Sequence, residues 1–292
     1  MLKRHIQALK YERYKMLETN KIYLGNNLDL LPQLDDESVD CIITSPPYDD
    51  LRTYENTNTW NFDVFKQVAN ELKRVLKKGG VIVWVVNDQT INGSETGSSF
   101  RQALYFQEIG LNIHDTMIWD KLGFSQVGAI DIRYPQVFDY MFIFSKGKPK
   151  TFNALKDRKN KSEGTIIHGT QRQKNGELKK PWSYGNEIGK TGIRFNLWPI
   201  FPKDNNGHPA LFPEELVEGH ILTWTNENDI VLDPFMGSGT TCIVAKNNKR
   251  QFIGFEIVEK YYNIAKDRLN YIKKNGQTSI FTDFSVFEKE KV

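Results

Sequence analysis

Residues 230–241, Ile-Val-Leu-Asp-Pro-Phe-Met-Gly-Ser-Gly-Thr-Thr, constrain the fold more than any other stretch of the chain. The apolar start predicts a buried strand, the glycines around Ser238 predict a tight turn, and residues 240–246 predict a helix opening directly after it. A turn at the carboxyl end of a strand, leading into a helix, is where parallel α/β sheets bind ligands. The same alternation runs through most of the chain. Apolar runs at 22–24, 41–43, 81–86, 114–119, 139–144 and 251–256 predict further strands. Helical spacing predicts helices over 62–76, stopped by Lys77-Lys78-Gly79-Gly80, over 100–109, from Pro213 with Glu214 and Glu215 in its first turn, and over 261–269. Residues 1–17 read as a basic helix, with Leu2, Ile6, Leu9 and Tyr14 on a partial stripe. Strands alternating with helices imply a mostly parallel sheet covered on both faces, and the 292 residues suffice for one such domain with an insertion.

The pattern breaks at 147–206, about sixty residues rich in Lys, Gly and Asn with no sustained period, too long for an ordinary loop. Charge is unevenly spread. Residues 146–206 hold 14 Lys and Arg against five Asp and Glu, whereas the remaining residues hold 25 against 31. A basic block on a chain that is otherwise acidic is the footprint of a surface for a polyanion, or a solvated Lys-rich loop. The expected organisation is therefore one α/β domain in two halves, 1–146 and 207–292, separated by an inserted module at 147–206.

Several classes drop out. Cys41 and Cys242 each sit in an apolar run and read as buried free thiols, with no zinc spacing and no disulfide framework. No metal site is expected. The N-terminus is too polar for a signal peptide, and no apolar run approaches the ~20 residues of a membrane helix, so a cytoplasmic protein without membrane contact is expected.

The glycine turn narrows the ligand. A dinucleotide fingerprint needs a third glycine where Cys242 stands, and a P-loop needs Gly-Lys-Ser/Thr. Asp233, at the strand end, offers a carboxylate to a cationic amino group. Glu256, ending the next strand, is placed to accept from ribose hydroxyls. S-adenosylmethionine has both groups. The alternative is an ordinary tight turn at Gly237 and Gly239, with Glu256 capping a helix.

The strand at 41–43 runs into Thr44-Ser45-Pro46-Pro47-Tyr48. Consecutive prolines remove two backbone donors and leave neighbouring carbonyls free to accept. With the Ser45 hydroxyl and the Tyr48 ring, this set suits an exocyclic amine on a stacked base. Alone, it also reads as a rigid turn.

Together, residues 44–48 and 233–239 resemble the S-adenosylmethionine-dependent amino-methyltransferases of DNA, which modify cytosine N4 or adenine N6. In that family the first segment is the catalytic loop and the second the cofactor loop. The resemblance extends to His208-Pro209-Ala210-Leu211-Phe212-Pro213, a segment near the methionine moiety, to the ribose-binding strand ending at Glu256, and to Leu24-Gly25-Asn26, where Asn26 replaces the family's Asp beside the adenine ring. The order, with the catalytic loop first and the basic block between, resembles the family's permuted β type. The resemblance thus implies a Rossmann-like methyltransferase sheet of seven strands, with 147–206 as target-recognition region. It implies Ser45, Pro46, Pro47 and Tyr48 as catalytic, and Asn26, Phe212, Asp233, Pro234, Phe235, Gly237, Ser238, Gly239, Thr240 and Glu256 as cofactor-binding. Arg172, Lys179, Lys180 and Arg194 are the expected phosphate contacts, with Trp182, Tyr184 and Trp198 for groove or stacking contacts. The loop at 49–61 is expected to order on DNA. Double-stranded DNA is the implied partner, a homodimer is admitted by the resemblance, and a cognate restriction endonuclease is a further candidate partner. Neither cysteine lies in a Pro-Cys context, against a covalent cytosine-C5 route. Ser45 resembles the cytosine-N4 members, with adenine N6 as the alternative. The rival classes are an RNA or protein methyltransferase and a non-catalytic nucleic-acid-binding protein.

Overall fold

A computed structural model describes residues 16–48, 60–123, 132–202 and 212–275. All but the last two residues of the expected helix over 1–17, most of the loop at 49–61 and His208 to Leu211 of the segment before Pro213 lie outside the described residues. Eight strands form one sheet: β1 (Lys21–Leu24), β2 (Val39–Thr44), β3 (Leu76–Val86), β4 (Asn112–Asp120), β5 (Phe138–Ser145), β6 (Leu197–Pro199), β7 (Ile230–Asp233) and β8 (Gln251–Glu256). Their order across the sheet is β1-β8-β7-β2-β3-β5-β4-β6. The first five run parallel, β5 is antiparallel to both neighbours, and β6 is parallel to β4. The sheet is mostly parallel, as expected, with eight strands rather than seven. The additional one is β6, whose three residues are too short to show a period in sequence.

Neighbouring residues in the central strands face opposite sides. Ile42, Ile82 and Leu232 join a core with Phe65, Trp84, Phe106 and Phe144, while Ile43, Val83 and Val231 are equally buried outside it. Both faces are covered, which explains why these strands read as unbroken apolar runs. Helix α1 (Phe62–Val75) carries its buried stripe on Phe65, Val68, Ala69, Leu72 and Val75, the spacing of one helix face. The Asn61 side chain caps it by accepting from the N–H groups of Asp63 and Val64 at 2.9 and 3.0 Å. The other helices are α2 (Ser98–Glu108), α3 (Glu214–Trp224), α4 (Thr240–Asn247) and α5 (Glu259–Asn275).

The chain passes from α1 into β3 at Leu76, so Lys77 to Gly80 belong to the strand rather than to a loop. Register explains this: Val39 pairs with Leu76 and Cys41 with Val81, so the extra residues of β3 are absorbed in a bulge. Gly80 fits there because a Cβ would lie 2.9 Å from the Asp40 carbonyl oxygen.

Residues Ala154–Asn196 form a separate compact unit. It is an irregular antiparallel ribbon in which Arg158–Lys159 pairs with Thr191–Gly192, Ile166 bridges Glu187, and Gln171–Arg172 pairs with Leu178–Lys179. No helix among the described residues is long and apolar enough to cross a membrane.

Candidate active site

Strands β2 and β7 are parallel neighbours, so the loops leaving their carboxyl ends emerge side by side. The contact is direct: Thr44 Oγ1 donates to Asp233 Oδ1 at 2.6 Å. The Phe235 N–H donates to the same oxygen at 3.1 Å, tying the start of the glycine loop to the end of its strand. The two segments singled out in sequence, 189 residues apart, therefore share one edge of the sheet.

Within the glycine loop, Gly237 and Gly239 both have positive φ, +53° and +83°. At Gly239 a Cβ would also sit 2.8 Å from the Ala265 Cβ of α5. Glu256, ending β8, accepts from the Gly237 N–H at 2.9 Å through Oε2 and from the Val258 N–H at 2.8 Å through Oε1. It thus caps the approach to α5 while facing the glycine turn. Pro234, Ser238 and Thr240 are buried, and Phe235 packs edge-on against Trp60 at 5.2 Å. Phe212 is half-buried just before α3. Asn26 Oδ1 accepts from the Leu28 N–H at 2.9 Å, so its oxygen caps a helical turn.

Two side chains outside the sequence expectations hold this loop. Asn27 Nδ2 donates to the Pro234 carbonyl at 3.3 Å. Arg268 of α5 is 4% exposed, and its Nη1 donates to the Ser238 carbonyl at 2.6 Å and to Ser238 Oγ at 3.1 Å, while Nη2 meets Glu214 Oε1 at 3.2 Å. Arg268 lies on a polar C-terminal helix with no motif around it, so nothing in the sequence marked it.

Asp233 is 2% exposed and Glu256 9%. Burial pushes Asp233 up to about 6, against the opposing donations from Thr44, Thr241 and the Phe235 N–H. Burial also raises Glu256, opposed by the Val258 and Gly237 N–H groups. Among the described residues neither carboxylate is in an ion pair. Two buried carboxylates beside a glycine turn form a site suited to a ligand that carries positive charge and hydroxyl donors.

The loop leaving β2 begins half-buried at Ser45, with Pro46 buried and Pro47 and Tyr48 half-buried. Ser45 Oγ donates to Tyr48 Oη at 3.1 Å, and Tyr48 Oη donates to Asp139 Oδ2 at 3.2 Å. Asp139 also accepts, at Oδ1, from Asn87 Nδ2 at 2.6 Å and from Lys121 Nζ at 2.7 Å. Because β5 is antiparallel to β3 and β4, its first residues come to the edge where β3 ends, and Asp139 is one of them.

The ribbon at 154–196 holds ten Lys and Arg against four Asp and Glu. Arg172 Nη1 donates to the Gly176 carbonyl at 3.0 Å near the tip, and Lys179 is exposed on the opposite strand. Lys180 Nζ lies 4.2 Å from the Tyr184 ring centre, and Trp182 between them is 93% exposed. Arg194 is engaged in an ion pair with Asp157, whose carboxyl it holds below the usual range. Trp198 is a correction. It lies in β6 rather than in the ribbon, is 4% exposed, and stacks on His220 with ring centres 4.5 Å apart. A groove contact by Trp198 is therefore excluded. Cys41 and Cys242 are buried free thiols, as expected.

A family model described as DNA methylase matches residues 39–267. The chain is 53% identical over 248 residues to the orphan methyltransferase M.BamHII of Bacillus amyloliquefaciens, an alignment spanning 81% of this chain and 91% of that protein. Among solved structures, it is similar to the M1.HpyAVI–SAM complex, with TM-score 0.58 and 27% identity over 86% of this chain and 98% of the other. It also shares its fold with the cytosine-N4-specific PvuII DNA methyltransferase, with TM-score 0.63 and 23% identity over 89% and 92% of the two chains.

Proposed function

The chain belongs to the N6/N4 DNA methylase family, and on that footing we propose that it methylates the N4 amine of a cytosine flipped out of duplex DNA. It is an S-adenosylmethionine-dependent DNA methyltransferase. The observation that carries the reading of the site is the Thr44–Asp233 hydrogen bond, which holds the Ser45–Tyr48 loop beside the glycine turn.

Bound at the glycine turn, S-adenosylmethionine supplies an electrophilic methyl group. Glu256 would accept from the ribose hydroxyls, and the negative field of Asp233 and Glu256 would favour the cationic end of the ligand. Ser45 already gives its proton to Tyr48, so its lone pairs remain to accept from the amine, with the Pro46 carbonyl as a second acceptor. The Tyr48 ring stacks on the base, offsetting part of the few kcal/mol that leaving the duplex costs. Orientation of amine and methyl in one line then supplies most of the rate. The ribbon is the target-recognition region, where Arg172, Lys179 and Lys180 meet phosphates. A neutral hydroxyl at Ser45 favours cytosine over adenine by its likeness to the N4 enzymes. The relative's name as an orphan methyltransferase favours a chain that acts without a dedicated endonuclease.

Duplex DNA methylated by the purified protein is digested to nucleosides and weighed. N4-methylcytosine is expected. N6-methyladenine would replace the base assignment and leave the family intact, and methylation of RNA in preference to duplex DNA would overturn both.

A further inference from the structure

The hydroxyl chain Ser45–Tyr48–Asp139 has a direction. Asp139, paired with the Lys121 ammonium, is a carboxylate and has no proton to give. Tyr48 has one proton and spends it on Asp139, so towards Ser45 it can only accept. Ser45 must then donate to Tyr48, which turns its lone pairs rather than its proton to the active-site side. We propose that Asp139 is a positioning residue that sets this direction and so makes a neutral serine an acceptor for the target amine. The inference rests on the amine-methyltransferase reading above.

The surroundings hold Asp139 in that role. It is 2% exposed, so solvent has little access to its carboxylate. Asn87 donates to Asp139 Oδ1 and to the Phe138 carbonyl, and its own oxygen accepts from Gln136 Nε2 at 2.7 Å and from the Asp88 N–H at 2.8 Å. Asn87 is thus locked with its N–H groups towards Asp139. With Lys121 and Asn87 both donating to Oδ1, only Oδ2 is left for Tyr48. An amide at position 139 would face the same two donors with its oxygen and turn its N–H group to Tyr48. Tyr48 would then donate to Ser45, and Ser45 would present its proton to the amine. The near-isosteric change reverses the chain.

The test compares wild type, Asp139→Asn, Tyr48→Phe and the double variant. Asp139→Asn is expected to lower kcat on unmethylated plasmid DNA by about 10²-fold, the scale of a misaligned acceptor. The DNA KM and the calorimetric affinity for S-adenosylmethionine should stay within about twofold, since the lost interaction is one that strengthens only in the transition state. Tyr48→Phe breaks the chain while keeping the ring, so Asp139→Asn should cost nothing further in that background. A merely structural Asp139 predicts equal losses in both backgrounds, which would overturn the proposal, as would an Asp139→Asn enzyme as fast as wild type. Independently of turnover, Raman difference spectra between each protein and its Tyr48→Phe counterpart isolate the Tyr48 doublet. It should report a donor in wild type and an acceptor in Asp139→Asn. An unchanged doublet overturns the proposal even if the wild-type substrate proves not to be DNA.

Discussion

Replacing Thr44 by valine keeps the shape of a fully buried side chain and removes the hydroxyl that donates to Asp233 over 2.6 Å. Burial already raises Asp233 from 3.8 to about 6 in the folded protein. The native state therefore holds the proton more tightly than the unfolded chain. Stability from protonated Asp233 is whole below pH ~3.8 and is lost as the pH rises through ~6, by about 3 kcal/mol in all. The Thr44 hydroxyl limits that loss with a bond to a charged group, worth about 1.5–3 kcal/mol. Without it, Asp233 moves a further one to two units up, by roughly 1.4 kcal/mol per unit. At pH 5 Asp233 is mostly protonated in both proteins, and Thr44→Val should lie within about 1 kcal/mol of wild type. At pH 8 the deficit should reach about 2 kcal/mol, or roughly 3 °C in melting midpoint for a chain of this length. Equilibrium urea unfolding of wild type, Thr44→Val and Thr44→Ser between pH 5 and 8 reads this directly, with serine restoring the donor. A valine deficit of the same size at every pH would refute the reasoning, because the hydroxyl would then not be serving a buried carboxylate.

Two further outcomes follow from named contacts. Arg268→Lys keeps a cation but loses the fork that reaches Ser238 and Glu214 together, so calorimetry should show S-adenosylmethionine affinity reduced by about tenfold, about 1.4 kcal/mol; unchanged affinity would mean the glycine turn keeps its shape unaided. Lys179→Ala and Lys180→Ala should each reduce the slope of log affinity for duplex DNA against log salt by about one, measured by anisotropy, whereas Arg194→Ala should change it less because Asp157 already holds its guanidinium. Equal slopes for all three would refute that ranking.

The β-α alternation and the meeting of the two loops were legible because each rests on local signals: apolar runs such as 230–232, glycines at positive φ, and a proline pair. The parallel pairing of β2 with β7 then converts two separate motifs into one site. What stayed hidden depends on tertiary partners. Trp198 looks like any exposed aromatic in a Lys-rich stretch until β6 is seen beside β4, where it is buried against His220. Asp139 opens an ordinary aromatic strand and gains meaning only from the reversal of β5, which brings it to Tyr48. Arg268 is one base among many on α5, and only its burial against Ser238 distinguishes it. The early start of β3 was masked by Gly79-Gly80, which reads as a stop signal but serves a bulge.

The outermost strands of the described sheet are short: four residues in β1 and three in β6, the latter ending on Pro199, which has no N–H to offer. Such ends make poor templates for another chain, because few main-chain groups line up and proline interrupts them. Two copies of this protein would gain little by joining their sheets end to end. The described sheet thus lacks, at both rims, the long open ladder on which fibrous association starts.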